Sequence, residues 1–188
     1  MKIVFLTEFF PIERGGKISG GAESRTYYLA RELSQKNDVT VITAKLTGAL
    51  TEESWGKLKI FRVGSEYSYT QTGKFWNRFI FFLAAIIKGL TTETDVIDAN
   101  SVPTYLSTWI IGFIKNTKTV FWIPDVVGIK QAIGHFGLVV GFIEGFFELL
   151  SIYFFRADTT IALSETTKNK LLKLEYDTDN VKVIYPGI

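Results

Sequence analysis

Short β-branched apolar runs alternate along this chain with longer stretches of helical period. Seven runs have strand character: KIVFLT (2–7), DVTVITA (38–44), KLKIFRV (57–63), DVIDA (95–99), KTVFWI (118–123), DTTIAL (158–163) and VKVIY (181–185). Several are nearly unbroken, which suits strands covered on both faces, as in parallel sheets; a one-sided antiparallel sheet would alternate strictly. Between them, Ala22, Thr26, Leu29 and Leu33 mark one face of a first helix, and Phe75, Phe79, Phe82, Ile86 and Leu90 mark another. Ser101 and Pro103 open a third at SVPTYLSTWIIGFIK, as cap and first-turn proline. The most apolar stretch, FGLVVGFIEGFFELLSIYFF (136–155), approaches the roughly 20 residues of a bilayer span. Glu144 and Glu148 interrupt it, and each carboxylate near a bilayer centre costs about 2.5–3.5 kcal/mol. The expectation is a helix buried round most of its circumference, with the two glutamates on its one wet face. Ser164 caps a fifth helix, SETTKNKLLKL, whose Lys168, Lys170 and Lys173 fall toward the end that the helix dipole favours. This βαβ repetition predicts an α/β fold: a Rossmann-like, doubly wound, mainly parallel sheet of about seven strands with helices on both faces and right-handed crossovers.

Composition adds bounds. A chain of 188 residues, 47% apolar and 21% charged, can bury one sizeable core, so a single domain over 1–188 is expected. A net charge of +2 announces no nucleic-acid partner. Without cysteine there are no disulfides or thiolate metal sites, and one histidine leaves only carboxylates as metal ligands. Met1 to Thr7 is too brief for a signal-peptide core and reads as a strand.

In doubly wound sheets ligands bind beyond the carboxyl ends of the strands, and the first strand borders that crevice. The loop RGGKISGGAES (14–24) lies there, with Gly20 and Gly21 directly before the first helix. Gly15, Gly16, Gly20 and Gly21 are candidates for a phosphate-binding loop, because glycine lets the backbone approach a ligand and the N–H groups of a helix start can hold an anion. The spacing is not the dinucleotide fingerprint, and a P-loop fails because Ile18 stands where Ser or Thr is needed and Pro11 where the leading glycine is needed. Glycines that serve only turns remain the alternative.

The opening strand, GGAE at the first helix, ARELSQKNDVTVITA, DVIDAN, ADTTIALSETTKNKLLKL and NVKVIYPGI together resemble the amino-terminal domain of GT-B glycosyltransferases, in particular the large retaining family 4, over essentially the whole chain. The resemblance implies an acceptor-binding half of a two-domain enzyme that moves a hexosyl group, with retention, from a nucleotide-sugar donor to a sugar or lipid-linked acceptor. It implies that the nucleotide sugar is held chiefly by a carboxyl-terminal domain, absent here, that 186–188 is the interdomain linker, that the chain is inactive alone, and that neither a metal nor a cofactor takes part. The family's Pro-Asn-Gly turn is present only as Pro186 and Gly187. Carried over residue by residue, Gly20, Gly21, Asp98, Asn100, Asp125, Ser164 and Glu165 would line the substrate site. Family members often place a histidine where Pro124 stands, and histidines near Asp98 and Asn100; Asp125, beside Pro124, is the one candidate for a catalytic group, with turn capping as its plainer role. His135 has no sequence partner and is expected to be structural.

The segment 73–90, with Lys74, Arg78 and Lys88 beside its aromatics, suits either a core helix or an interfacial helix for a lipid-linked acceptor, helped by the loop SEYSYTQTG. The expected location is cytoplasmic, at the inner face of the membrane. The rival readings are a non-catalytic Rossmann-like module for a phosphorylated ligand or a protein partner, and a glycoside hydrolase; the second would need two carboxylates across a sugar, whereas Glu144 and Glu148 stand about 6 Å apart on one helix.

Overall fold

The computed structural model describes residues 1–68 and 75–185, without the side chains of Phe75 and Phe136. The linker residues 186–188, Lys74 and most of the loop before it lie outside the described residues. The chain forms two compact units, Met1–Thr119 and Val120–Ile188.

The first unit runs β1 (Lys2–Thr7), α1 (Gly21–Leu33), β2 (Asp38–Leu46), β3 (Glu52–Trp55), β4 (Leu58–Tyr67), α2 (Phe75–Thr91), β5 (Val96–Ala99) and α3 (Val102–Lys115). Its strands lie in the order β3-β4-β2-β1-β5, all parallel except β3. Alternation along β1 sends Val4 and Leu6 to one face, where they meet Ile42, Phe81, Ala85 and Ile111 under α2 and α3. Ile3 and Phe5 go to the other face, against Val39, Val41, Tyr27 and Ala30 under α1. The doubly wound, helix-on-both-faces architecture expected of the pattern is therefore present.

Two local features shape this unit. Gly64 on β4 has φ +88, and a Cβ there would sit 3.0 Å from the Phe81 Cα, so glycine permits α2 to lie against the strand. Arg62, 1% exposed, reaches from β4 to the Pro11 carbonyl at 2.6 Å, the Ile12 carbonyl at 3.2 Å and the Leu50 carbonyl at 3.2 Å, and pairs with Glu53. A wholly buried guanidinium is tolerable only with such partners. It ties the loop after β1 to the β3–β4 hairpin.

The second unit carries β6 (Lys118–Ile123), in which the division falls, then α4 (Gly128–Phe136), α5 (Leu138–Phe154), β7 (Thr159–Ala162), α6 (Glu165–Leu172) and β8 (Val181–Val183). Its strand order is β6-β7-β8, all parallel.

Three expectations are corrected. The described residues hold eight strands rather than about seven, because EESW, polar and too short to show a period, becomes β3 by pairing with β4 from Glu52↔Phe61 to Trp55↔Leu58. The apolar stretch 136–155 does not start a fresh helix at Phe136, which closes α4; Gly137, at φ 80, separates it from α5. Nor is α5 buried round most of its circumference with both glutamates wet. Leu138, Phe142, Phe146 and Phe154 are exposed, while Gly141, Gly145, Glu148 and Ser151 are buried. Glu148 turns inward because it accepts the backbone N–H of Val127 at 3.1 Å and of Gly128 at 2.6 Å, closing the start of α4, which has no cap of its own. Burial still pushes its carboxyl above the usual range, against those two hydrogen bonds. Among the described residues no helix is long and apolar enough to cross a membrane.

Replacing Arg62 by methionine leaves the Glu53 carboxylate and the Pro11 carbonyl without their cation. The expected loss of stability is about 3–5 kcal/mol, read from urea unfolding; a change below about 1 kcal/mol would contradict the clamp.

Candidate functional site

In the first unit, the carboxyl ends of β1 and β5 meet the start of α1. Arg25, one turn into α1, grips Asp98 at the end of β5 through two parallel hydrogen bonds of 2.7 and 2.8 Å, with both side chains largely buried. Asn100 follows Asp98 out of the strand and donates its amide to the Thr26 hydroxyl at 2.5 Å and to the Ala22 carbonyl at 3.2 Å. Its buried Oδ1 has no hydrogen-bond partner. Both candidates thus fasten α1 to β5, and neither presents its main polar groups outward.

The glycines divide into two pairs. Gly15, at φ 75, and Gly16 form a turn in which the Gly16 N–H donates to the Glu13 carbonyl at 2.9 Å. Gly20 and Gly21 begin α1, and nothing lies within 4 Å of the place a Gly21 Cβ would occupy. The anion already at this helix start is the chain's own: Glu23 accepts from the Ser19 N–H at 2.8 Å and from the Gly20 N–H. Burial raises the Glu23 carboxyl above its ordinary range, opposed by those two amides.

Residues that sequence reasoning passed over complete this edge. Glu8, buried directly after β1, accepts from Arg78 Nε at 2.9 Å and from the Tyr67 hydroxyl at 3.5 Å. Burial and the Glu8 charge push the Tyr67 phenol well above its usual value. The available signals were position alone: Glu8 is the first charge after β1, and Arg25 lies just past GGAE. Arg78 is thereby directed into the fold rather than flanking an apolar surface.

In the second unit, Asp125 follows Pro124 at the end of β6. Its Oδ1 accepts from the Val126 N–H at 2.8 Å, as expected of a turn cap, and from Lys170 Nζ at 2.8 Å. Ser164 caps α6 by accepting from the Thr167 N–H at 3.1 Å, and the Thr167 hydroxyl donates to the Pro124 carbonyl at 3.0 Å. Glu165 is exposed in the first turn of α6. Asp125, Ser164 and the start of α6 therefore form one cluster, and His135 lies in the last turn of α4. Among the described residues no group of three His, Cys, Asp or Glu is arranged to hold a metal ion.

The model of Glycosyltransferase Family 4 matches residues 19–188. No curated protein matches the sequence. Among solved structures, sucrose-phosphate synthase from Thermosynechococcus elongatus superposes with a TM-score of 0.75 at 13% identity, over 100% of this chain and 49% of that one. Anabaena HepE in complex with UDP-glucose does so with a TM-score of 0.60 at 18% identity, over 100% and 44%. The lipopolysaccharide outer core galactosyltransferase WaaB in its apo form gives 0.54 at 12%, over 100% and 46%. The chain therefore spans about half the length of these structures, and the likeness at such identity is one of fold.

Two outcomes are expected of the helix starts. Ser164→Ala should cost about 1 kcal/mol of stability, read from urea midpoints. Because the folded Glu23 carboxyl titrates high, its contribution is fully present below the ordinary carboxyl value and is lost as pH rises through the raised one. Glu23→Gln keeps an acceptor and removes the titration, so its stability relative to the parent should climb from about pH 4 to about pH 7; parallel curves would refute the assignment.

Proposed function

The chain belongs to Glycosyltransferase Family 4, and we propose that it is the acceptor-side lobe of a retaining hexosyltransferase that takes its sugar from a nucleotide-sugar donor. The observation that carries this reading is the start of α1: space above Gly21, held at the carboxyl edge of the sheet by the Arg25–Asp98 pair, with the Gly20 N–H taken by Glu23. As the sugar–phosphate bond breaks, negative charge grows on the departing diphosphate. Amides in the first turn of α1 have no intrahelical partner and are preorganised to meet that charge without moving. No metal takes part in this reading.

Asp98 and Asn100 act as positioning residues, since both Asp98 carboxylate oxygens and the Asn100 amide nitrogen are spent on α1. In the second unit, the groups proposed to contact acceptor hydroxyls are Asp125, half-exposed beside Pro124, and Ser164 and Glu165 at the start of α6. The remainder of the polypeptide, a carboxyl-terminal domain, grips the nucleotide; HepE, a structure of about twice this span, is described with UDP-glucose. A lipid-linked acceptor at the inner face of the membrane is supported by α2, which buries Phe81 and Ala85 yet exposes Trp76, Ile80, Leu83 and Ile87.

The isolated chain, incubated with UDP-glucose and other nucleotide sugars in the presence of glycan acceptors, should show neither hydrolysis nor transfer. Saturation-transfer NMR should detect acceptor glycans on it and not UDP-glucose. Robust transfer by the chain alone, or tighter binding of UDP-glucose than of any acceptor, would overturn the half-enzyme reading.

A further inference from the structure

The α4–α5 hairpin is sorted in the opposite sense to a water-soluble helix pair. Along α5 its inner side holds Gly141, Gly145, Glu148 and Ser151, with Ile152 the one large apolar side chain buried beside them. A Cβ on Gly141 would stand 2.3 Å from the Ala132 carbonyl oxygen, and one on Gly145 2.6 Å from the Ile129 Cα, so the two helices touch backbone to backbone. Glu148 and Ser151 continue this buried stripe. Its outer side holds the large residues: Leu138, Val139, Phe142, Phe146, Phe147 and Phe154 are all exposed. They form rows four residues apart, and the rings of Phe142 and Phe146 stack at 6.3 Å.

Water selects the reverse arrangement, large apolar groups in and polar groups out. Hydrocarbon selects this one, because lipid serves large side chains as well as protein does, and small residues let helix backbones close on each other. The charges agree. α4 exposes Lys130 and the chain after α5 exposes Arg156, while one of the two carboxylates of α5, Glu148, is withdrawn to cap α4. Lys130 is a cation suited to anionic headgroups, and the Arg156 guanidinium stands over the Tyr176 ring, 5.3 Å from its centroid. At 17 residues α5 is about 25 Å long, suited to lying along a bilayer surface.

We propose that the α4–α5 hairpin is an in-plane membrane anchor whose partner is the headgroup and acyl boundary of an anionic bilayer. The anchor is separate from the α2 surface and assumes nothing about glycosyl transfer.

Because the chain has no cysteine, Phe146→Cys, Ile80→Cys and Asn169→Cys each provide a single site for an environment-sensitive fluorophore on α5, α2 and α6. Each labelled chain is mixed with phosphatidylcholine vesicles, with and without phosphatidylserine. The label at 146 should shift to the blue with phosphatidylserine vesicles and the label at 169 should not. In flotation of the unlabelled chain, Phe142→Ser with Phe146→Ser should reduce vesicle binding about tenfold, and Lys130→Glu with Arg156→Glu should abolish the preference for phosphatidylserine. An unchanged label at 146 overturns the proposal. So does a blue shift that grows with protein concentration in the absence of vesicles, accompanied by dimers in sedimentation, which assigns the face to a second copy. A response at 80 without one at 146 overturns the hairpin anchor and leaves the α2 reading intact. Should the serine pair fail to fold, the labels still decide.

Discussion

The burial of β1 on both faces is the constraint from which the first unit follows. Ile3, Val4, Phe5 and Leu6 are each at most 6% exposed, so neither face of the strand can meet water. Such a strand takes parallel neighbours, here β2 and β5, and every parallel connection must cross over the sheet, bringing a helix with it. α1 covers one face and α2 with α3 the other. The crossovers leave from the carboxyl ends of the strands, and that edge collects the loops and helix starts available for chemistry.

An edge of this kind brings polar groups out of water, and the chain answers with specific pairs. Arg25 and Asp98 neutralise each other, Asn100 holds Thr26, and Glu8 holds Arg78. The glycine loop is fastened at both ends: Arg62 holds Pro11 and Ile12, and Glu23 holds Ser19 and Gly20. What is left between these anchors is the short stretch with Gly15 and Gly16, so the mobility a glycine-rich sequence suggests is confined to one turn while the start of α1 stays in place.

The second unit follows two rules at once. Its strands and α6 obey the same logic as the first unit, with Ser164 and Thr167 joining the helix start to the Pro124 carbonyl. The α4–α5 hairpin does not. The inner side of α5 is built from glycine, serine, a capping glutamate and Ile152, and its outside from phenylalanine and branched residues. The exposed apolar side of α5 meets water unless something covers it, and the sorting of small groups inward makes lipid the cover that fits the packing.

By itself the sequence determined what is written within a few neighbouring residues. The runs at 2–7 and 118–123 coincide with β1 and β6 because continuous apolar β-branched residues have few other uses, and 38–44 needed only Lys45 and Leu46 to complete β2. The starts of α3 and α6 were legible from Ser101 with Pro103 and from Ser164, since caps act within three or four positions. The repetition of these elements was enough to place Gly20 and Gly21 at the start of the first helix after β1. Only the tertiary structure decided the rest. β3 exists through its ladder with β4, and the orientation of α5 was set by the backbone of α4. Arg25 found Asp98 across 73 positions, Arg62 found Pro11 across 51, and Glu148 found Gly128 across 20. Periodicity records how a segment divides its own faces, whereas the choice of which face goes inward, and which carboxylate meets which donor, belongs to groups brought together from distant parts of the chain.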